Sequence, residues 1–433
     1  MKSRGYVTLT LFFLYCKHEF ITVPFVNLTA LSILEQNTYN NCPICGFPLT
    51  CDSAVCPRCG NDILEDITTL DEQSQEIHRR NIEEKKAEWY TRCITENLGV
   101  SGTNPGEDGG CIVKATGSRH LYCTPEEAAF LATCTRTALV EDIAMRRKWW
   151  QCLSSDWKEV VKSTLKLVRD PGEGELLDFF ATTHLRCDNR RVHDLLPVRV
   201  LDHLQQLRCD ESPVENLEPL AELLQLQRLY AFDCDIVSLE PLRKLKNLKL
   251  LWISSTPVTS IEPLQELVNL EELYCSETSI ADFSPLKSLV NLEKLSCYKT
   301  EITSIEALGS LENLIELGIN NTRIEDLSPI GHLENLEYLR CSKTGIDSLE
   351  PLRNMRSLRE LSISRTHVTS LEPLAGLGEI EEIDISYTPV RSIEPLMHLG
   401  YLEKLELSAG QIPDIEIERF IELHPGCEII LKS

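Results

Sequence analysis

Positive charge is scarce in this 433-residue sequence: Lys and Arg total 43 against 67 Asp and Glu, for a formal net charge of -24. A surface of that sign keeps a chain soluble and repels phosphate backbones, so nucleic acid and anionic lipid are poor partners for it. A long apolar run is missing as well. The run near the start, Val7 to Cys16 in "MKSRGYVTLTLFFLYC", has ten residues, half of the ~20 that a spanning helix requires. That argues against a stable membrane span. Catalytic signatures are equally absent: there is no H-E-x-x-H, no G-x-S-x-G and no Walker loop, and the ten His lie apart from one another. The glycine-rich stretch "GVSGTNPGEDGG" lacks the Gly-Lys-Ser/Thr end that would cradle a nucleotide. These absences point away from an enzyme and toward a binding protein.

Hydrophobic residues make up 42% of the chain, which excludes wholesale disorder and allows several domains. The first 40 residues are an apolar segment with two readings. Lys2 and Arg4 ahead of the apolar run fit a signal segment, and export follows from that reading. No A-x-A-like site comes after it, Tyr15 is too bulky for a lipoprotein cleavage box, and Lys17, His18 and Glu19 interrupt the run. A buried strand or an over-extended translation start is the alternative. The cysteines favour a reducing compartment, because Cys187, Cys209, Cys275, Cys297 and Cys341 share one phase of a 22-residue period that elsewhere carries Ile or Leu. This is how a small buried hydrophobe is used, and it leads to the expectation of a cytoplasmic protein.

The 22-residue period dominates the sequence. Residues 195 to 414 hold ten copies in unbroken register, among them "LEPLRKLKNLKLLWISSTPVTS" and "IEPLQELVNLEELYCSETSIAD". Apolar residues recur at positions 1, 4, 7, 10, 13, 15 and 20 of each copy. The spacing starts near helical and ends alternating, which predicts a short helix or 3₁₀ turn followed by a strand. Position 3 is Pro in nine copies, with Ala307 the exception, and the preceding copy ends in an oxygen-bearing residue such as Ser238 or Ser260. Such a cap before Glu-Pro is a helix-start signal.

These units resemble the 22-residue class of leucine-rich repeat found in internalins and in a regulatory subunit of protein phosphatase 1. The resemblance implies an α/β solenoid, a horseshoe with a parallel concave β-sheet of eleven to twelve strands. Its strand motif reads here as L-x-x-L-x-[CI]-x-x-T-x-[IV], with Thr256, Thr278, Thr300, Thr322, Thr344, Thr366 and Thr388 in the column that the family gives to asparagine. A threonine hydroxyl still donates one hydrogen bond, so a reduced ladder between turns is expected.

An end repeat exposes its apolar face unless something covers it. Residues 423 to 433, "LHPGCEIILKS", read as a C-terminal cap, and "HLRCDNRRVHD" places the first strand near Leu185, so the solenoid spans 185 to 433. Upstream, 111 to 184 reads as a hairpin and helical capping region: "CIVKATGSRHLYC" as the hairpin, then a helix with Thr124 as cap, and "SSDWKEVVKSTLKLV" and "EGELLDFF" as short helices. Residues 62 to 110 form a charged helical spacer and a flexible loop.

Residues 41 to 61 carry metal-binding spacing. Cys42-Pro-Ile-Cys45-Gly and Cys56-Pro-Arg-Cys59-Gly are two C-P-x-C-G knuckles, and two residues between thiolates let both reach one ion while Gly allows the left-handed turn. Four thiolates make a closed tetrahedral site for structural Zn2+, with iron left open by the spacing. The segment resembles a zinc ribbon, and Cys42, Cys45, Cys56 and Cys59 match its ligand positions. Cys51 lies between the knuckles as a bystander. Disulfide pairing within each C-x-x-C is the alternative use.

Function is then expected on the concave face, where positions 12, 14, 16 and 17 point outward and each position forms a row across strands about 4.8 Å apart. Position 14 reads Tyr230, Trp252, Tyr274 and then small or charged residues; position 16 adds Phe232 and Tyr298, and position 12 adds Tyr338. An aromatic patch of this kind is a mark of a protein-binding hot spot, which suggests an interaction module such as a scaffold or regulatory subunit. An exported internalin-like adhesin is the alternative, and coverage of Trp252 by the N-terminal helices is the competing use of the patch.

Overall fold

The computed structural model describes residues 125–433. The zinc-ribbon cysteines, the hairpin, Thr124 and the apolar start lie outside the described residues. From Glu126 to Ser433 the chain forms one compact unit. It opens with five helices: α1 Pro125–Thr133, α2 Arg136–Glu141, α3 Ile143–Cys152, α4 Ser155–Leu165 and α5 Glu173–Phe180.

Helices α4 and α5 fall on the stretches expected from sequence, whereas α2 and α3 add to that expectation. Their starts are well capped, since Thr135 accepts from the Ala138 N–H and Asp142 from those of Ala144 and Met145. Arg146 is buried among carbonyls: it donates to Leu139 O at 2.9 Å, Val140 O at 2.8 Å and Glu173 O at 3.1 Å. It thereby satisfies the open carbonyls at the end of α2 and holds α5 against them. Behind it Trp149 packs edge-on against Phe180, with centroids 5.0 Å apart, and against Phe179. The helices join the solenoid through α4, where Trp157 Nε1 donates to Asp194 O at 3.0 Å.

A single sheet of twelve parallel strands follows in sequential order, from β1 His184–Arg186 through β2 Gln206–Arg208 to β12 Glu428–Lys432. Neighbouring strands align at the same repeat position, 22 residues apart up to β11, so Leu207 faces Leu229 and Leu229 faces Leu251. Each outward loop begins with a 3₁₀ turn, such as Glu240–Leu242 or Glu262–Leu264. The caps read from sequence are present: the Ser238 and Ser260 hydroxyls accept from the N–H groups of Glu240 and Glu262, and Asp282 and Asp326 do the same for Ser284 and Ser328. The repeated Leu and Ile positions are fully buried, and Cys187, Cys209, Cys275, Cys297 and Cys341 are too, each at 0% exposure. Burial raises the thiol pKa values of Cys187, Cys275, Cys297 and Cys341, to about 12 at Cys275 and Cys341.

The threonine column behaves differently from expectation. The hydroxyls of Thr256, Thr278, Thr300, Thr322, Thr344, Thr366 and Thr388 each donate to the carbonyl three residues back, at 2.6 to 2.7 Å. A threonine side chain is one atom shorter in reach than asparagine, so it closes its own turn instead of bridging to the next. Turn-to-turn bonding is carried elsewhere. At position 16 Ser254 Oγ accepts from Ser276 N, Ser276 Oγ from Tyr298 N, and Asn320 Oδ1 from Ser342 N. At position 9 Asn247, Asn269, Asn291, Asn313 and Asn335 each donate to a carbonyl 23 residues earlier.

Between these ladders the residue at position 17 adopts the left-handed conformation in every turn from Asn189 to Tyr387, with φ between 52° and 59° and no glycine among them. Helix α6, Asp414–Leu423, and β12 close the C-terminal end, where Gln411 Nε2 donates to both Ile385 O and Thr388 Oγ1.

Candidate functional site

Strands β3 Arg228–Tyr230, β4 Leu250–Trp252 and β5 Glu272–Tyr274 carry the aromatic residues of position 14 into direct register, Tyr230 opposite Trp252 and Trp252 opposite Tyr274. Parallel in-register pairing dictates this: a residue one full repeat on must lie on the same face of the adjacent strand. Trp252 is the centre of the group. Its ring lies 5.0 Å from that of Tyr274, 5.4 Å from Phe232 and 6.4 Å from Tyr230. All four rings are half-buried and pack on one another.

Polar groups fix the edges of this shelf. The Tyr274 hydroxyl donates to Glu272 at 2.6 Å, and burial together with that carboxylate pushes its pKa well above the ordinary phenol value. At the other edge the Arg208 guanidinium lies over the Tyr230 ring, 5.4 Å from its centre, and its Nε donates to Asp210 at 2.5 Å. Asp210 is 1% exposed and also accepts from Phe232 N; burial raises its carboxyl pKa above the usual value in spite of both partners. Arg208 occupies position 14 one repeat before Tyr230, so extending the aromatic row by one copy would have found it.

Tyr298 and Tyr338 do not join the shelf. Beyond Tyr274 the position-14 row passes through Ser296 and Gly318 before reaching Arg340, and no ring contact links either tyrosine to the four. Both are half-buried, Tyr338 at the start of the strand Tyr338–Arg340 and Tyr298 two residues past the end of Lys294–Ser296. Of the described helices, α4 packs against β1, three strands before Trp252.

The second half of the face is a self-satisfied charge network. Arg340 sits between Glu316 at 2.5 Å and Glu360 at 2.7 Å, and Lys404 between Glu406 at 2.7 Å and Glu382 at 3.4 Å. Lys432 pairs with Asp384 and with Glu406. A partner that docked there would have to replace ion pairs already made, so charge offers little net attraction. Among the described residues no group of three or more His, Cys, Asp or Glu is placed to hold a metal ion, and no helix is long and apolar enough to cross a membrane.

Comparison with known proteins agrees with this architecture. The family described as Leucine Rich repeats (2 copies) matches at residues 225–266, 268–310, 290–332, 312–354 and 334–376. No curated protein matches the chain. Among solved structures, an internalin, InlF, from Listeria monocytogenes is 22% identical, with 64% of this chain and 90% of that one covered at a TM-score of 0.57. The functional domain of InlJ from the same organism, which includes a cysteine ladder, is 18% identical over 62% of this chain and 63% of that one, with a TM-score of 0.50. A TDR receptor is 19% identical over 58% of this chain and 47% of its own length, with a TM-score of 0.51. At such identities the likeness is one of fold. Repeats, strand register and fold neighbours together make this a leucine-rich repeat solenoid with internalin-like structural neighbours.

Proposed function

We propose that the chain is a non-enzymatic protein-interaction module, a scaffold or regulatory subunit, that binds a protein partner on the strand-lined face. The observation that carries this reading is the shelf of Tyr230, Phe232, Trp252 and Tyr274, four half-buried rings assembled over three successive repeats. Aromatic residues anchor interfaces because they bury much apolar area while losing few rotamers. Leucine-rich repeat proteins commonly mediate protein-protein contacts, which supports the same reading. Tyr298 and Tyr338 stand outside the shelf and take the role of rim residues in this reading.

The test is affinity capture from native extract with the wild-type chain beside Trp252→Ala. Loss of the wild-type partner is the expected result, and undiminished capture by the variant would overturn the assignment of the face. For the N-terminal segment we propose a structural Zn2+ held by Cys42, Cys45, Cys56 and Cys59 in a cytoplasmic protein. The spacing of the two knuckles supports it. Intact-mass analysis of the mature N-terminus separates this from the exported, adhesin-like alternative, which requires removal of the first residues.

A further inference from the structure

Positions 15 and 18 of successive repeats meet inside the solenoid. In the first turns the position-18 side chain donates back to the position-15 carbonyl of the preceding repeat: Ser212 Oγ to Cys187 O at 3.3 Å, then Cys234 Sγ to Cys209 O at 3.1 Å. From Thr256 to Thr388 a threonine holds position 18 and turns to its own strand instead. The β2–β3 step is therefore the one place in the described solenoid where both contacting positions are cysteine.

The two cysteines there are direct neighbours, with Cys234 Sγ seated against the Cys209 main chain. Each also reaches a carbonyl under the aromatic shelf, Cys209 Sγ that of Tyr230 at 3.5 Å and Cys234 Sγ that of Phe232 at 3.7 Å. We propose that Cys209 and Cys234 form an oxidisable dithiol, a modification site that closes to a disulfide when the reduced protein meets hydrogen peroxide.

The environment divides the roles between them. The neighbouring Cys209 thiol and the Ser212 backbone lower the pKa of Cys234, while the Cys234 thiol and burial raise that of Cys209. Cys234, 3% exposed against 0% for Cys209, is the sulfur that peroxide reaches first and so the attacking one. Its thiolate takes one oxygen from the peroxide, breaking the O–O bond and becoming a sulfenic acid; the other oxygen leaves as hydroxide and is protonated to water. The Cys209 sulfur then attacks the sulfenic sulfur, and its proton departs with the displaced hydroxyl as a second water. Two thiols and one peroxide give one disulfide and two waters. Exposures of 3% at Cys234 and 0% at Cys209 select a small oxidant, because a redox protein cannot reach either sulfur.

The test treats the reduced full-length chain with hydrogen peroxide, blocks remaining thiols after denaturation, and maps peptides without reduction. The expected product is a Cys209–Cys234 peptide pair lighter by two hydrogens and separated by dithiothreitol. Cys341, equally buried but flanked in its column by Ile319 and Ile363, stays alkylatable in the same digest. Recovery of Cys209 and Cys234 as blocked single peptides, or linkage of either to another cysteine, would overturn the proposal. Cys234→Ser and Cys209→Ala keep the fold testable, since Ser212 and Ala231 already occupy the equivalent positions; each is expected to abolish the pair while leaving the circular dichroism unchanged.

Discussion

Trp252 lies across Tyr274 on the neighbouring strand, ring centroids 5.0 Å apart and planes inclined by 35°. Offset, tilted rings at this separation attract one another, an effect worth about 0.5–1.5 kcal/mol beyond the area they bury. A double-mutant cycle with Trp252→Ala and Tyr274→Ala, read from denaturation midpoints, is expected to give a coupling in that range. Additive single effects would show that the two rings are only neighbours.

Thr322 supplies a second test. Its hydroxyl donates to Ile319 O at 2.7 Å within a buried turn. Thr322→Val keeps the shape but leaves that carbonyl without its side-chain donor, and a loss of about 1 kcal/mol is expected. Thr322→Ser restores the donor and should recover most of it. Equal stability of the valine and serine variants would mean that the column is chosen for shape.

Gly331 and Gly318 should respond unequally to the same change. A Cβ at Gly331 would meet the Pro351 carbonyl oxygen at 2.7 Å, a backbone atom that cannot move away cheaply, whereas at Gly318 the nearest atom is Ser296 Oγ at 3.6 Å. Gly331→Ala is expected to cost about 1–3 kcal/mol, and Gly318→Ala to leave thermal stability near that of the wild type.

Asp210 makes a pH prediction. Burial raises its folded carboxyl pKa above the ordinary 3.8, so the native state holds protons more tightly there than the unfolded chain does. Its ionised form is therefore a burden at neutral pH, one that lifts as pH falls through the folded pKa and is gone below the unfolded one. Asp210→Asn should be more stable than the wild type at pH 7, with the advantage shrinking toward pH ~4. Melting temperatures at the two pH values decide it; an advantage that grows on acidification would reverse the assignment.

Metal content tests the N-terminal knuckles. Protein purified from cytosol under reducing conditions is expected to carry about one zinc per chain, as a closed site of four thiolates requires. Cys42→Ser should lose it. Metal-free wild-type protein with blocked thiols would instead identify the knuckles as disulfides and move the exported reading forward.

The solenoid was legible because its signal is repeated: every strand restates the same alternation of Leu, and every turn the same Ser or Asp before Glu-Pro. Helix α3 was not, because Arg146 is a charged residue in a buried place and breaks the apolar period that reveals a helix, and α2, six residues long, is too short to show a period. The threonine column was assigned the right chemistry and the wrong acceptor. A sequence names a donor, but the acceptor depends on reach, and the hydroxyl finds the carbonyl three residues back before any other. For the shelf, the row of position 14 placed Tyr230, Trp252 and Tyr274 side by side, while Tyr298 and Tyr338 shared their face without sharing their contacts. A period gives the face and the strand; whether two rings touch depends on both column and neighbouring row.

The left-handed column at position 17 has a consequence for change over time. From Asn189 to Arg365 its N–H groups are held by the main chain of the following turn, as in Asp233 to Ser254 O at 2.9 Å and Lys299 to Asn320 O at 2.9 Å, and only that of Tyr387 goes to a side chain, the Ser408 hydroxyl. The backbone, rather than any particular side chain, enforces the conformation, and the column accordingly holds Asn, Glu, Asp, Ser, Lys, Arg and Tyr in turn. Each turn therefore displays one letter that can be rewritten without rewriting the fold, so that a lineage carrying this scaffold can drift from one partner to another while its architecture stands still.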